Sequence, residues 1–236
     1  MGLTEELKRY VKHLEIDFIG FCPVDRLDEA PEDRRPRRYL ENAESMISIG
    51  YRLNYAPIQN LPISRSAYVL EHAYANRHLD FVSHMVARFL EERGFEAIGF
   101  STGAGFYPGV GKTPKRFAGD ISNKHAAVAC GLGKFGLNNL VLNPACGPRF
   151  RLATAITDAR LRYDRPLEEN PCMTHNCEEC IKICPVNALD GWEASYNPDR
   201  GWLIDKKKCY DYMFITLQGR RCGLCIKACP VGLNRQ

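Results

Sequence analysis

Cysteines in the last third of the chain repeat one frame. Residues 177–189 read CEECIKICPVNAL, and residues 222–234 read CGLCIKACPVGLN. Both contain Cys-x-x-Cys-Ile-Lys-x-Cys-Pro-Val, at Cys177, Cys180, Cys184 and Pro185 and again at Cys222, Cys225, Cys229 and Pro230. Cys172 precedes the first run and Cys209 the second. Eight thiols in two such runs are the ligand set of two 4Fe–4S clusters. In a bacterial-type run the cysteine before proline ligates the other cluster. That rule divides the eight without remainder. Cys172, Cys177, Cys180 and Cys229 serve one cluster; Cys209, Cys222, Cys225 and Cys184 serve the other. The first run holds four residues between Cys172 and Cys177 where two are usual, so a bulge is expected there.

The spacing has a physical purpose. Cys-x-x-Cys curls the backbone so that two thiolates meet one cube, and proline closes the run by removing an N–H and fixing φ. Two zinc sites of four cysteines each are the alternative, but they leave the duplicated Cys-x-x-x-Cys-Pro tail without a role. A disulfide framework fits less well. Eleven cysteines in 236 residues are not a dense scaffold, no leader segment is expected, and eight of them lie beyond residue 171. Cys22, Cys130 and Cys146 stand outside the runs and read as small buried hydrophobes.

The rest of the chain must position these thiols. Apolar content of 45% and charged content of 25% describe an ordinary globular protein. A net charge of +4 with mixed signs gives no broad basic surface. Together with the chain ending soon after Cys229, it leads to the expectation of no tRNA or other nucleic-acid partner. No run of 18 apolar residues is present, so no membrane span is expected. Reduced thiols point to the cytoplasm.

Thr4, followed by Glu5 and Glu6, predicts a helix start. Residues 18–24 and 45–51 read as strands, and 25–44 as loop or short helix. Leu79, Val82, Val86, Phe89 and Leu90 share one face of a long helix over 66–93, stopped by Gly94. A strand over 95–100 follows, then a Gly- and Pro-rich loop over 101–120. Ser122 opens a further helix that ends at Gly131. Residues 140–143 and 149–157 read as a strand pair around the turn 144–148. Gly105 to Thr113 resembles a phosphate-binding loop but has five residues between its glycines where four are required, so that reading is rejected. His72, His78 and His84 do not share a helix face, so they are not expected to form a metal site. His125 reads as a structural histidine. His175, between two cluster cysteines, could hydrogen-bond a sulfide.

Residues 127–143 (AVACGLGKFGLNNLVLN), Gly147-Pro148-Arg149, Ile156-Thr157-Asp158 and Ile63-Ser64-Arg65 resemble the epoxyqueuosine reductase family, whose architecture reductive dehalogenases share. The resemblance implies an α/β (α+β) nitroreductase-like cofactor domain over 1–162, followed by a small double 4Fe–4S ferredoxin-like domain over 163–236. It implies base-off cobalamin in the first domain, with the clusters feeding it electrons and a protein acid supplying a proton. The chain lacks the Asp-x-His-x-x-Gly motif of histidine-on corrinoid proteins. The family's acidic position falls here on Phe117, so Asp120 and Tyr107 become the candidate proton donors. Gly131, Gly133, Asn138 and Arg149 are the candidate cofactor contacts, within walls expected at 103–112, 131–138 and 146–149. The expected partners are a donor such as ferredoxin or flavodoxin and a small-molecule substrate. Two rivals stay open: a flavin in the pocket, or a non-catalytic electron carrier or activator of a corrinoid protein.

Overall fold

The structure, a computed structural model, describes residues 2–103, 117, 119–174 and 176–233. Its centre is a four-stranded antiparallel sheet. The strands are β1 (Phe18–Pro23), β2 (Ser45–Arg52), β3 (Ala97–Phe100) and β6 (Phe150–Thr157), in spatial order β1-β2-β6-β3. Alternation along β2 and β6 gives the sheet two apolar faces. Ile47, Ile49, Ala153 and Ala155 face one side, where they meet Leu79, Val82, Val86 and Leu90 of the long helix α3 (Ser66–Glu91) and Leu7 and Val11 of α1 (Leu3–His13). Met46 and Ile156 face the other side and pack with Cys22, Ala126 and Cys130, the latter two at the short helix α4 (Asn123–Ala129). A five-residue helix, α2 (Tyr55–Gln59), sits between β2 and α3; it is too short to show a period in sequence.

Two expectations need correction. Thr4 does not cap α1. Gly2 takes that place, and the buried Thr4 hydroxyl accepts the Arg162 N–H at 2.8 Å. Residues 140–143 do not pair with β6. Instead β5 (Val141–Leu142) pairs with β4 (Lys134–Phe135), and only Asn143 and Gly147 bridge the turn. β2 pairs along the whole of β6, and β3 takes Thr154 to Thr157 of its other edge.

The β4–β5 hairpin forms the seam with the C-terminal segment. Phe135 N–H donates to the Pro198 carbonyl at 2.7 Å, Tyr196 Oη to the Phe135 carbonyl at 2.6 Å, and Trp202 Nε1 to the Leu137 carbonyl at 3.1 Å. The segment carries three short helices, α5 (Glu179–Lys182), α6 (Lys206–Asp211) and α7 (Leu224–Ala228), with a π-helical stretch at Tyr212–Thr216. Among the described residues no helix is long and apolar enough to cross a membrane.

Candidate functional site

Each cysteine run opens a short helix. α5 begins two residues after Cys177 and carries Cys180; α7 carries Cys225, and Gly223 at φ +69° turns the chain into it. The runs lie side by side, so each third cysteine reaches across. Cys172, Cys177, Cys180 and Cys229 line one cavity together with Leu137, Asn138 and Pro230. Burial raises the Cys180 thiol to about 12, and crowding by Cys172, Cys229 and Cys177 adds to this. The second group gathers the same way. Burial raises Cys209 to about 11, reinforced by Cys222 and Cys184. Cys225 is driven well above the ordinary thiol range by burial, then by Cys209 and Cys222. Four of the thiols thus line one cavity, and Cys184, Cys209, Cys222 and Cys225 lie close enough to act on one another.

Four thiols each is the ligand count of a 4Fe–4S cube. Among the described residues, no three His, Cys, Asp or Glu side chains converge closely enough for a single metal ion. Tetrahedral zinc with a Zn–S distance of about 2.3 Å would require sulfurs less than about 4 Å apart. Thiolates at the corners of a cube stand farther apart. The Ala188 N–H points at Cys184 Sγ at 3.3 Å, a bond of the kind that tunes cluster potentials.

Of the candidate cofactor contacts, Asn138 lines the cavity of the first four thiols and Arg149 lines a separate surface cavity. Gly131 is the left-handed residue of a Schellman stop. Its N–H bonds the Val128 carbonyl and the Leu132 N–H bonds the Ala127 carbonyl, at 3.0 and 2.9 Å. A Cβ on Gly131 would press into the Arg165 carbonyl oxygen, and one on Gly133 into that of Leu142. The close approach that both glycines permit is therefore of the chain to itself. Asn138 accepts the Leu140 N–H and borders the first quartet. Arg149 is 3% exposed and bonds the carbonyls of Cys146, Val231 and Cys229. Asp120 is exposed, ahead of α4. Tyr107, the loop 104–116 and His175 lie outside the described residues. Ser122 caps α4 as expected, and His125 ties it to the Arg200 carbonyl at 3.1 Å.

Sequence reasoning missed the face beside the second quartet. Lys124 is half-buried, donates from Nζ to the Asn139 carbonyl at 2.7 Å, and has its pKa lowered to about 8 by desolvation, then by Lys206 and Arg151. His72 on α3 is held near 2 by burial, Arg151 and Arg221. Arg151 Nε donates to Asn76 Oδ1 at 2.8 Å. Aromatic rings lie nearby: Tyr68 is 2% exposed in an apolar cluster with Leu61 and Ile226, and Tyr210 stacks on Phe214 with Phe117 against its edge. Only the lone basic letters are visible in sequence. Their convergence depends on packing between α3, β6, α4 and the C-terminal segment.

Residues 172–233 match the 4Fe-4S dicluster domain. An epoxyqueuosine reductase from Cyclobacterium marinum is 31% identical over 239 residues, covering 91% of this chain and 70% of the relative. The chain belongs to the epoxyqueuosine reductase family. The relatives in that family are oxidoreductases by name. Two solved structures share the fold. A reductive dehalogenase studied for B12-dependent dehalogenation superposes with a TM-score of 0.73 at 22% identity, over 98% of this chain and 32% of its own. An epoxyqueuosine reductase with a modified tRNA-Tyr stem loop superposes with a TM-score of 0.60 at 20% identity, over 98% of this chain and 65% of its own. These relatives overturn the expectation that excluded nucleic acid: the family is named for a tRNA modification, and one solved member holds a tRNA stem loop. Net charge sums over the whole chain and is blind to where cations gather.

Proposed function

We propose that this member of the epoxyqueuosine reductase family passes electrons through two 4Fe–4S clusters to a cofactor beside the second quartet for reductive chemistry. A corrinoid is the favoured cofactor. In this reading the domain boundary falls between residues 162 and 163, and the N-terminal part is nitroreductase-like. The observation that carries the reading is the group of basic side chains, His72, Lys124 and Arg151, near Cys209, Cys222 and Cys225, with Tyr68 buried beneath it. The face fits a large flat cofactor with a phosphate, because the charges acting on His72 and Lys124 are chiefly positive. A corrinoid held there would supply reductive chemistry at its cobalt. The chain's own groups do the rest. Arg151 and Lys124 hold anionic groups, and His72 remains neutral. Lys124, with a pKa near operating pH, holds a proton at Nζ that it can release to a developing anion. It stands ahead of the exposed Asp120 as proton donor.

The test is anaerobic reconstitution followed by iron and sulfide analysis and titration with cobalamin. About eight irons per chain and a shifted corrinoid spectrum are expected. Four irons, stoichiometric zinc, or no spectral change at micromolar cobalamin would defeat the corresponding part. The first substrate to try is a tRNA-Tyr stem loop bearing epoxyqueuosine. Lys124→Met should keep the irons and lose roughly 10²- to 10⁴-fold in turnover. Unchanged turnover would remove Lys124 from the mechanism.

A further inference from the structure

Two arginines of the N-terminal part reach across the seam, one to each cysteine run. Arg149, just before β6, donates from Nη1 to the Val231 carbonyl at 2.7 Å and from Nη2 to the Cys229 carbonyl. Arg65, just before α3, donates from Nη1 to the Cys222 carbonyl at 2.8 Å and to that of Arg221 at 3.0 Å. They differ in setting. Arg149 is 3% exposed, and among the described residues its hydrogen bonds go to carbonyls and none to a carboxylate. Its Nε is buried and has no hydrogen-bond partner among the described residues. Arg65 is half-buried at the surface.

A buried charge without a counter-charge is costly, and buried ions are normally paired. A guanidinium stays charged in proteins, so Arg149 cannot escape by losing its proton. Of the nearby groups that favour its charged form, the Cys229 thiol is the strongest. A 4Fe–4S cube with four thiolates carries two negative charges when oxidised and three when reduced. We infer that Arg149 is the counter-cation of the cluster held by Cys172, Cys177, Cys180 and Cys229, and that it positions Cys229 while favouring the reduced state. Arg65 does the same, more weakly, for the other cluster, because solvent screens it. This inference rests on the two-cluster reading above. The step involved is one electron taken from an external low-potential donor into the cube, with no proton and no bond made or broken. Loss of a buried positive charge beside the cube raises the energy of the extra electron and makes the midpoint more negative.

The experiment is an EPR-monitored redox titration of reconstituted wild type, Arg149→Gln and Arg65→Gln. Arg149→Gln should move one of the two midpoints by at least a tenfold change in the reduced-to-oxidised ratio, about 59 mV for one electron. Arg65→Gln should move the other midpoint, and by less. Arg149→Lys should restore most of the shift while loosening the clamp. A second variant guards against failure to assemble. Tyr55 lines the same surface cavity as Arg149, so Tyr55→Glu places a carboxylate near the guanidinium without removing it and should shift the same midpoint in the same direction. If Arg149→Gln holds eight irons with both midpoints unmoved, the inference fails. It also fails if that variant does not load and Tyr55→Glu loads with unmoved midpoints. A wild type without about eight irons would instead overturn the cluster reading, and the inference with it.

Discussion

His72 shows how a single side chain responds to its surroundings. Burial comes first, then the charges of Arg151 and Arg221, and together they lower its pKa to about 2. In the unfolded chain the imidazole takes a proton near 6.5. Between about pH 6.5 and 2 the unfolded state therefore binds a proton that the folded state refuses, so stability falls as pH falls through that window. Above about 6.5 both states are neutral and the effect vanishes. His72→Gln should flatten the dependence. Anaerobic urea unfolding at pH 7 and pH 5 checks it: the midpoint should drop more for wild type than for the variant, and equal drops would refute the assignment. Crossed ligation is tested at the same scale. Cys184 acts on Cys209 and Cys222, whereas Cys180 feels Cys172, Cys229 and Cys177. Cys184→Ala should bring iron down toward four per chain, with the surviving cluster on the Cys177–Cys180 run. Loss of that cluster instead would reverse the partition. The two cysteine runs are readable in sequence because cluster ligation imposes a local spacing. The partners of Arg149 and Lys124 are not, because they lie far away along the chain.

At the level of elements, the glycines decide the case. Gly131 and Gly133 read in sequence as room for a ligand, yet Gly131 closes α4 and both lie against backbone carbonyls. Sequence alone does not separate these uses, since a cap and a cradle both ask for the absent Cβ. The structure makes a definite prediction for Gly131→Ala. Its φ of +78° and the close Arg165 carbonyl strain the variant, by about 1–3 kcal/mol or more. Thermal unfolding should reveal the loss, while cofactor affinity per folded molecule stays unchanged. A variant of wild-type stability that no longer binds cobalamin would restore the cradle. The strands divide similarly. β1, β2 and β6 are legible from their apolar runs, but the partner of residues 140–143 is not. Period-2 patterning identifies a strand without naming its neighbour, and residues 141–142 pair with 134–135 instead.

The molecule as a whole is held together at the seam where the cluster runs meet the N-terminal part. Tyr68 is its apolar anchor. It is 2% exposed, packs with Leu61, Ile58 and Ile226, and its ring would lie 2.6 Å from a Cβ on Gly223. Lys227 Nζ bonds the Leu61 carbonyl beside it. Cys225 packs against the same group and is a ligand of the proposed second cluster. One apolar cluster thus joins α2, α3 and α7 to a cube. Such coupling predicts that the two parts do not melt apart: cluster loss and loss of the sheet should coincide, because metal binding and folding of a small cluster segment are linked. Tyr68→Ala leaves an aromatic-sized hole and should cost about 3–5 kcal/mol. In an anaerobic melt, far-UV circular dichroism and cluster absorbance should fall together in wild type, and together at lower temperature in the variant. If cluster absorbance alone moved and the sheet melted where it did before, the seam would be a contact between independent domains, and Tyr68 would serve only the second cluster.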